Sequence, residues 1–229
     1  MDQNRDKSFS GASSEALTQT FMQRVYQWMS AGLALTGFIA YWASGNVSLM
    51  RSLHGGAFIV LVLVELGIVF WLSSQAMRIS ATAATAGFLI YSALNGLTLS
   101  YIFIIYTSAS IASTFFITAG TFAAVSLYGW TTKQDLTSLG GFFIMGLIGI
   151  IIASVVNMFM RSPLLYWAIS YIGVGLFIGL TAYDTQKLKN IHQSNPGAPD
   201  QLAILGALSL YLDFINMFIF LLRIFGRRR

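Results

Sequence analysis

The stretch Leu202–Leu222 reads LAILGALSLYLDFINMFIFLL, twenty-one residues with a single charge, Asp213, near the middle. A helix of about 20 apolar residues spans the roughly 30 Å hydrocarbon core of a bilayer. Read this way, the segment is a membrane-spanning helix with a carboxylate at its centre. Six further stretches have the same character, at about 24–43, 57–72, 81–105, 111–130, 139–160 and 164–183. The seven together predict an all-α membrane protein.

Bulk composition agrees. The 229 residues are 56% hydrophobic and only 9% charged, whereas a soluble domain carries about 25% charged residues because its surface must be hydrated. The net charge of +5 is read as topogenic rather than as a footprint for nucleic acid, since Lys and Arg mark loops held in the cytoplasm. With no cysteine in the chain, disulfides, thiolate metal sites and cysteine nucleophiles are excluded together.

Three regions are expected: a polar, disordered N-terminal tail over 1–23, one transmembrane domain over 24–226, and a basic tail over 227–229. The N-terminal stretch has no apolar core and no small-residue cleavage site, so it is not a cleavable signal peptide. The longest interior connection is expected at 185–201, where QSNPGAP forces a turn. With the N-terminus in the cytoplasm, Arg5, Lys7, Arg24, Arg78, Lys133, Lys187 and Lys189 lie inside and Arg51 and Arg161 outside. The C-terminal arginines Arg223 and Arg227–Arg229 oppose this orientation. Early segments dominate insertion, which favours the N-terminus inside.

Ionisable residues inside spans are costly, at least ~2.5–3.5 kcal/mol each on insertion scales, and default to functional candidates. Three carboxylates qualify: Glu65, Asp184 and Asp213. Gly206, Ser209, Asp213 and Asn216 recur at spacings of three and four and share one helix face. Asp184 ends the sixth span, above Gly175 and Gly179, whose spacing permits close helix contact. The last two spans form a hairpin, so the two aspartates can meet. Two close carboxylates cannot both stay ionised cheaply and titrate as a unit. Their oxygens, with Asn216 or a backbone carbonyl, also suit a hard cation such as Ca²⁺. The structural alternative has Asp184 capping its helix or pairing with Lys187, and Asp213 bonding a neighbouring helix. Glu65 lines a cavity or pairs with Arg78 or Arg223, and Arg78 is a topogenic charge or a latch on an aspartate. Stripes at Ser92, Asn95, Gly96 and Ser100, and at Gly146, Gly149, Ala153 and Asn157, read as packing seams.

Enzyme chemistry finds little support. His54 and His192 are both placed in loops without helix-spaced partners, and no nucleophile elbow, Walker loop or dinucleotide fingerprint occurs. An intramembrane aspartyl protease would need a second motif that the Tyr-Leu before Asp213 does not supply. A retinal protein would need a lysine within a span.

YSALNGLTLSYIF (Tyr91–Phe103), SLYGWTTKQDLTSLG (Ser126–Gly140), GLTAYDTQKLK (Gly179–Lys189) and LGALSLYLDFINMFIFLLRIFG (Leu205–Gly226) together resemble the Bax inhibitor-1 family, and most closely its bacterial inner-membrane branch. The resemblance covers the chain from about residue 19. It implies a seven-helix bundle with the C-terminal helix central, acting as a pH-sensitive Ca²⁺ leak channel without cofactor. Asp184 and Asp213 match the family's paired-aspartate sensor, Arg78 its latch and Glu65 its acidic second-span residue. A rival from another class is a regulatory protein that modulates membrane proteolysis or stress survival through a membrane protease or other membrane partner. The lysine-rich C-terminus of eukaryotic members is missing, so functions tied to it do not carry over.

Overall fold

Long apolar runs broken by short polar turns leave the backbone one way to satisfy its own hydrogen bonds in lipid, which is helix. A computed structural model of the chain describes residues 2–75, 78–195 and 199–229, with side chains from Glu15 onward. It contains α1 (Asp2–Ser44), α2 (Val47–Ser52), α3 (Gly56–Ser74), α4 (Ala81–Ile105), α5 (Ser108–Thr131), a 3-10 turn (Thr137–Leu139), α6 (Gly140–Met160), α7 (Pro163–Ser194) and α8 (Gln201–Phe225).

Among the described residues, six helices are long and apolar enough to cross a membrane: α3 to α8, with the 3-10 turn joined to α6. α1 contains the expected first span but is not one of the six. Gln27, Ser30, Thr36 and three aromatic residues with polar edges (Tyr26, Trp28, Tyr41) dilute its apolar half. The boundary expected at residue 23 falls inside α1, where Thr18, Phe21 and Met22 are buried.

Two expectations are corrected. α7 does not end at Asp184 but continues to Ser194, so Asp184 is an interior helical residue rather than a cap. The connection after it shortens accordingly, and residues 196–198 of the QSNPGAP cluster lie outside the described residues. His192, expected in a loop, is on the last turns of α7 and is buried. The polar surface of 184–194 hid an amphipathic extension with Thr185, Leu188 and His192 on its inner face.

The chain divides into two compact units. The first comprises residues 1–101 and 188–209, the second 102–187 and 210–229. In the first unit α1 lies close against α4. The Thr36 hydroxyl donates to the Ser92 carbonyl at 2.8 Å, and a Cβ on Gly96 would stand 2.8 Å from the Thr36 carbonyl oxygen. Asn46 caps α2 by accepting from the Leu49 amide, and the Ser100 hydroxyl meets Met50 Sδ at 3.1 Å. The end of α7 docks on α1 through His192, whose ring stacks on Phe21 at 4.5 Å and meets the Thr18 hydroxyl at 3.2 Å.

In the second unit small residues again set the approach distances. Gly129 of α5 abuts the Ala182 backbone of α7, Gly179 abuts Phe143 of α6, and Gly173 abuts Phe220 of α8. Gly175, expected to form the close contact with Gly179, has open space around it instead. Of the proposed seam on α6, Gly146 meets Leu176, whereas Gly149 is open. Phe115 and Phe122 pack edge-on against Phe214 at 5.5 and 5.6 Å.

Burial separates α8 from the rest. Of the residues in its most apolar stretch 72% are buried, against 11–33% for the other five helices. Those five turn Phe70, Ile90, Phe116, Phe159 and Leu164 outward, the apolar exterior that lipid requires.

Candidate functional site

Asp213 sits at the midpoint of α8, with Leu210, Tyr211, Phe214 and Met217 buried around it. Its own exposure is 4%. Carboxylate Oδ2 is sealed from solvent and has no hydrogen-bond partner among the described residues. The α7 hydroxyls flanking Asp184 are engaged elsewhere: Thr181 donates to the Phe177 carbonyl at 2.7 Å, and Thr185 donates to Ser126 Oγ at 3.3 Å. A buried carboxylate oxygen without a donor is an unusual expense, because its desolvation is not offset by bonding.

What does reach Asp213 is another acid. The Asp184 carboxylate, half-buried on α7, lies near enough to act on it electrostatically. The second unit therefore holds both aspartates, within electrostatic reach of each other. Asn216, one turn further along α8, turns its amide to its own helix and donates to the Leu212 carbonyl at 2.8 Å. Among the described residues no group of three or more His, Cys, Asp or Glu is arranged to hold a metal ion. Two carboxylates fall well short of the six to eight oxygens that Ca²⁺ prefers.

Next to the pair, the polar turn after α5 is pinned to α7. Gln186 accepts from the Leu136 amide and donates to the Gln134 carbonyl, both at 2.8 Å. Sequence reasoning passed over Gln186. It lies two residues beyond Asp184, so this turn and the acid are fixed to the same stretch of helix.

Glu65 belongs to the first unit and is bonded by different groups from those expected. It is 7% exposed on α3. The Thr98 hydroxyl makes a very short hydrogen bond to Oε1, and Asn95 Nδ2 donates to Oε2 at 3.3 Å. Tyr91 is near enough to feel its charge. Tyr91, Asn95 and Thr98 are spaced four and three apart, a single face of α4. That spacing is visible in YSALNGLT, where Asn95 belongs to the expected packing seam; its partner Glu65 is not visible there. Neither Arg78 nor Arg223 is bonded to Glu65. Arg78 is exposed in the turn after α3, and its side chain has no hydrogen-bond or ion-pair partner among the described residues.

Comparison with known proteins gives the lineage. Residues 18–229 match the family model described as "Inhibitor of apoptosis-promoting Bax1". The chain is 52% identical to the inner membrane protein YbhL of Escherichia coli K12 over 217 residues, covering 92% of this chain and 93% of that one. A protein of Borreliella burgdorferi is 47% identical, covering 91% and 92% of the two chains. Protein RP147 of Rickettsia prowazekii is 42% identical, covering 91% and 90%. A match over nearly the whole chain, with motifs carrying both aspartates, means that this helical membrane protein belongs to the Bax inhibitor-1 family.

Proposed function

We propose that the chain is a pH-sensitive calcium leak channel of the bacterial inner membrane, gated by Asp184 and Asp213. The observation that carries this reading is the sealed, unbonded Oδ2 of Asp213 within electrostatic reach of Asp184. A structural aspartate would be expected to hold a donor on that oxygen; an acid with none there and a second acid within electrostatic reach can titrate as a unit with it. With one proton between them the carboxyls hold together and the path past α8 is closed. Once both are ionised they repel, and the charge they leave in an apolar setting draws a cation inward. Flux then follows the existing gradient, without ATP, cofactor or catalytic step. Asn216, one turn along α8 from Asp213, is a candidate polar position along the route.

On this reading α1 supplies a seventh crossing, α8 is the central helix, and the N-terminus lies in the cytoplasm. The name of the Escherichia coli relative supports the inner membrane as the location.

The test is Ca²⁺ entry into liposomes holding the purified protein, followed against pH, beside Asp184→Asn and Asp213→Asn. A pH-dependent flux whose titration shifts or disappears in either variant is expected. No flux above protein-free liposomes from a folded protein would end the channel reading and favour the regulatory one.

A further inference from the structure

In the second unit three helix ends meet at one place: the C-terminus of α6, the N-terminus of α7 and the C-terminus of α8. A cavity of about 470 Å³ opens there, lined among others by Arg161, Tyr166, Trp167, Arg223 and Arg228. No acidic side chain lines it. Among the described residues none of the three arginines has a carboxylate partner.

Arg223 and Arg228 are held by side-chain contacts, and Arg161 is placed by its backbone. Arg161 ends α6 in the left-handed region, φ 51° and ψ 33°, with its amide bonded to the Asn157 carbonyl. A non-glycine residue rarely adopts this conformation. Arg223 is stacked over Tyr166 and Phe220, its guanidinium carbon 5.6 and 5.2 Å from the ring centres. Arg228 reaches the Tyr166 hydroxyl at 3.4 Å. Its backbone is fixed by the antiparallel pairing of Tyr106 with Arg228, in which the Thr107 amide donates to the Arg227 carbonyl and the Arg229 amide to the Ile105 carbonyl. Like charges gathered without a counter-charge repel, and ordering them is favourable when an anion completes the set.

The surroundings say which anion. Trp167 and Tyr171 are stacked on each other at 6.0 Å and exposed, as aromatic residues are at the headgroup level of a membrane. Phe159, Met160, Leu164 and Phe225, at the same helix ends, are 58–80% exposed. This apolar surface would lie under a bound headgroup, where acyl chains run. Basic pockets between helix ends are suited to anionic lipid headgroups, and planar guanidinium groups pair well with phosphate oxygens. We propose that this cavity binds the phosphodiester headgroup of an anionic phospholipid.

The full-length protein, stripped of lipid in neutral detergent, is titrated with phosphatidylglycerol, with phosphatidylcholine and with inorganic phosphate, and thermal unfolding is followed. Phosphatidylglycerol is expected to raise the midpoint, phosphatidylcholine to have little effect, and Arg161→Gln/Arg223→Gln to weaken the phosphatidylglycerol effect by about tenfold or more. Arg51→Gln/Lys133→Gln removes the same charge elsewhere and should leave it intact. If the double variant folds poorly, Arg161→Gln alone, in an exposed turn, gives a smaller loss of the same sign. The proposal is overturned if both double variants respond to phosphatidylglycerol as the native protein does. It is likewise overturned if inorganic phosphate alone reproduces the stabilisation, because the site would then hold a free anion rather than a lipid.

Discussion

Asn95 donates its side-chain amide to the Glu65 carboxylate at 3.3 Å, joining α4 to α3 deep within the first unit. With the Thr98 hydroxyl on the other oxygen, the carboxylate has a donor for each of its two oxygens. An acid supported in this way differs in kind from Asp213, whose Oδ2 has none. Two buried carboxylates in one chain thus sit in opposite environments, and substitutions should separate them.

At Glu65 the contacts are structural. Asn95→Leu removes a donor while leaving the acid buried, and should cost about 1–3 kcal/mol. Glu65→Gln keeps an acceptor for Thr98 and should cost less. Unfolding in mixed detergent micelles would rank them. An Asn95→Leu protein as stable as the native one would contradict the bonded geometry.

Glycine substitutions test the helix contacts of the second unit. A Cβ on Gly129 would stand 3.0 Å from Ala182 Cα and nearer still to its carbonyl oxygen. Backbone cannot yield as a flexible side chain can, so Gly129→Ala should destabilise by about 1–3 kcal/mol. Gly175 has nothing within 4 Å of the same position. Gly175→Ala should be neutral or stabilising by at most about 1 kcal/mol, since alanine is the better helix former. Thermal unfolding of the two variants side by side decides it.

These contrasts mark what the sequence made legible. Span positions were clear because hydropathy accumulates over twenty residues; the stretch 81–105 coincides with α4. Asp213 was clear because one acid among apolar residues stands out. Partners were much less so. Glu65 and Asn95 are thirty residues apart, and nothing in either segment specifies the rotation that brings them face to face. Spacing suggested Gly175 as a contact, yet the close approach on that part of α7 falls at Gly173 and Gly179. Choosing between neighbouring faces of a wholly apolar helix requires its partners. The extension of α7 past Asp184 was hidden for the opposite reason, since TQKLKNIHQS looks like a polar loop until α1 is present to cover His192 and Gly206 of α8 to receive Leu188.

His192 lies beyond the apolar part of α7, buried between Thr18 and Phe21. Burial pushes its imidazole below its ordinary value of 6.5, because the charged form loses hydration. On acidification the unfolded chain takes up this proton first. Stability contributed by the neutral ring is therefore full above about pH 6.5, declines as pH falls below it, and levels off below the folded value. His192→Gln removes this dependence. The native protein should lose stability relative to His192→Gln between about pH 7 and pH 5, measured as the difference between their unfolding midpoints. Parallel pH profiles would show that the ring does not titrate against the fold.

Asp213 gives the sharpest test, because stability and function should move in opposite directions. The native side chain places an acid beside Asp184 with no donor on Oδ2. Asp213→Asn keeps the shape, removes the like-charge repulsion and brings two N–H donors that can face Asp184. A buried charge relieved in this way should raise stability at pH 8 by about 1 kcal/mol or more. The gain should shrink as pH falls, since protonation removes the same charge from the native protein. Leak through the variant should lose its pH response over the same range. Were Asp213 only a structural residue, Asp213→Asn would be destabilising at every pH and the flux would keep its titration. Measuring unfolding and Ca²⁺ entry on one preparation, at pH 8 and pH 5, separates a residue held at a cost for gating from one that stabilises the fold.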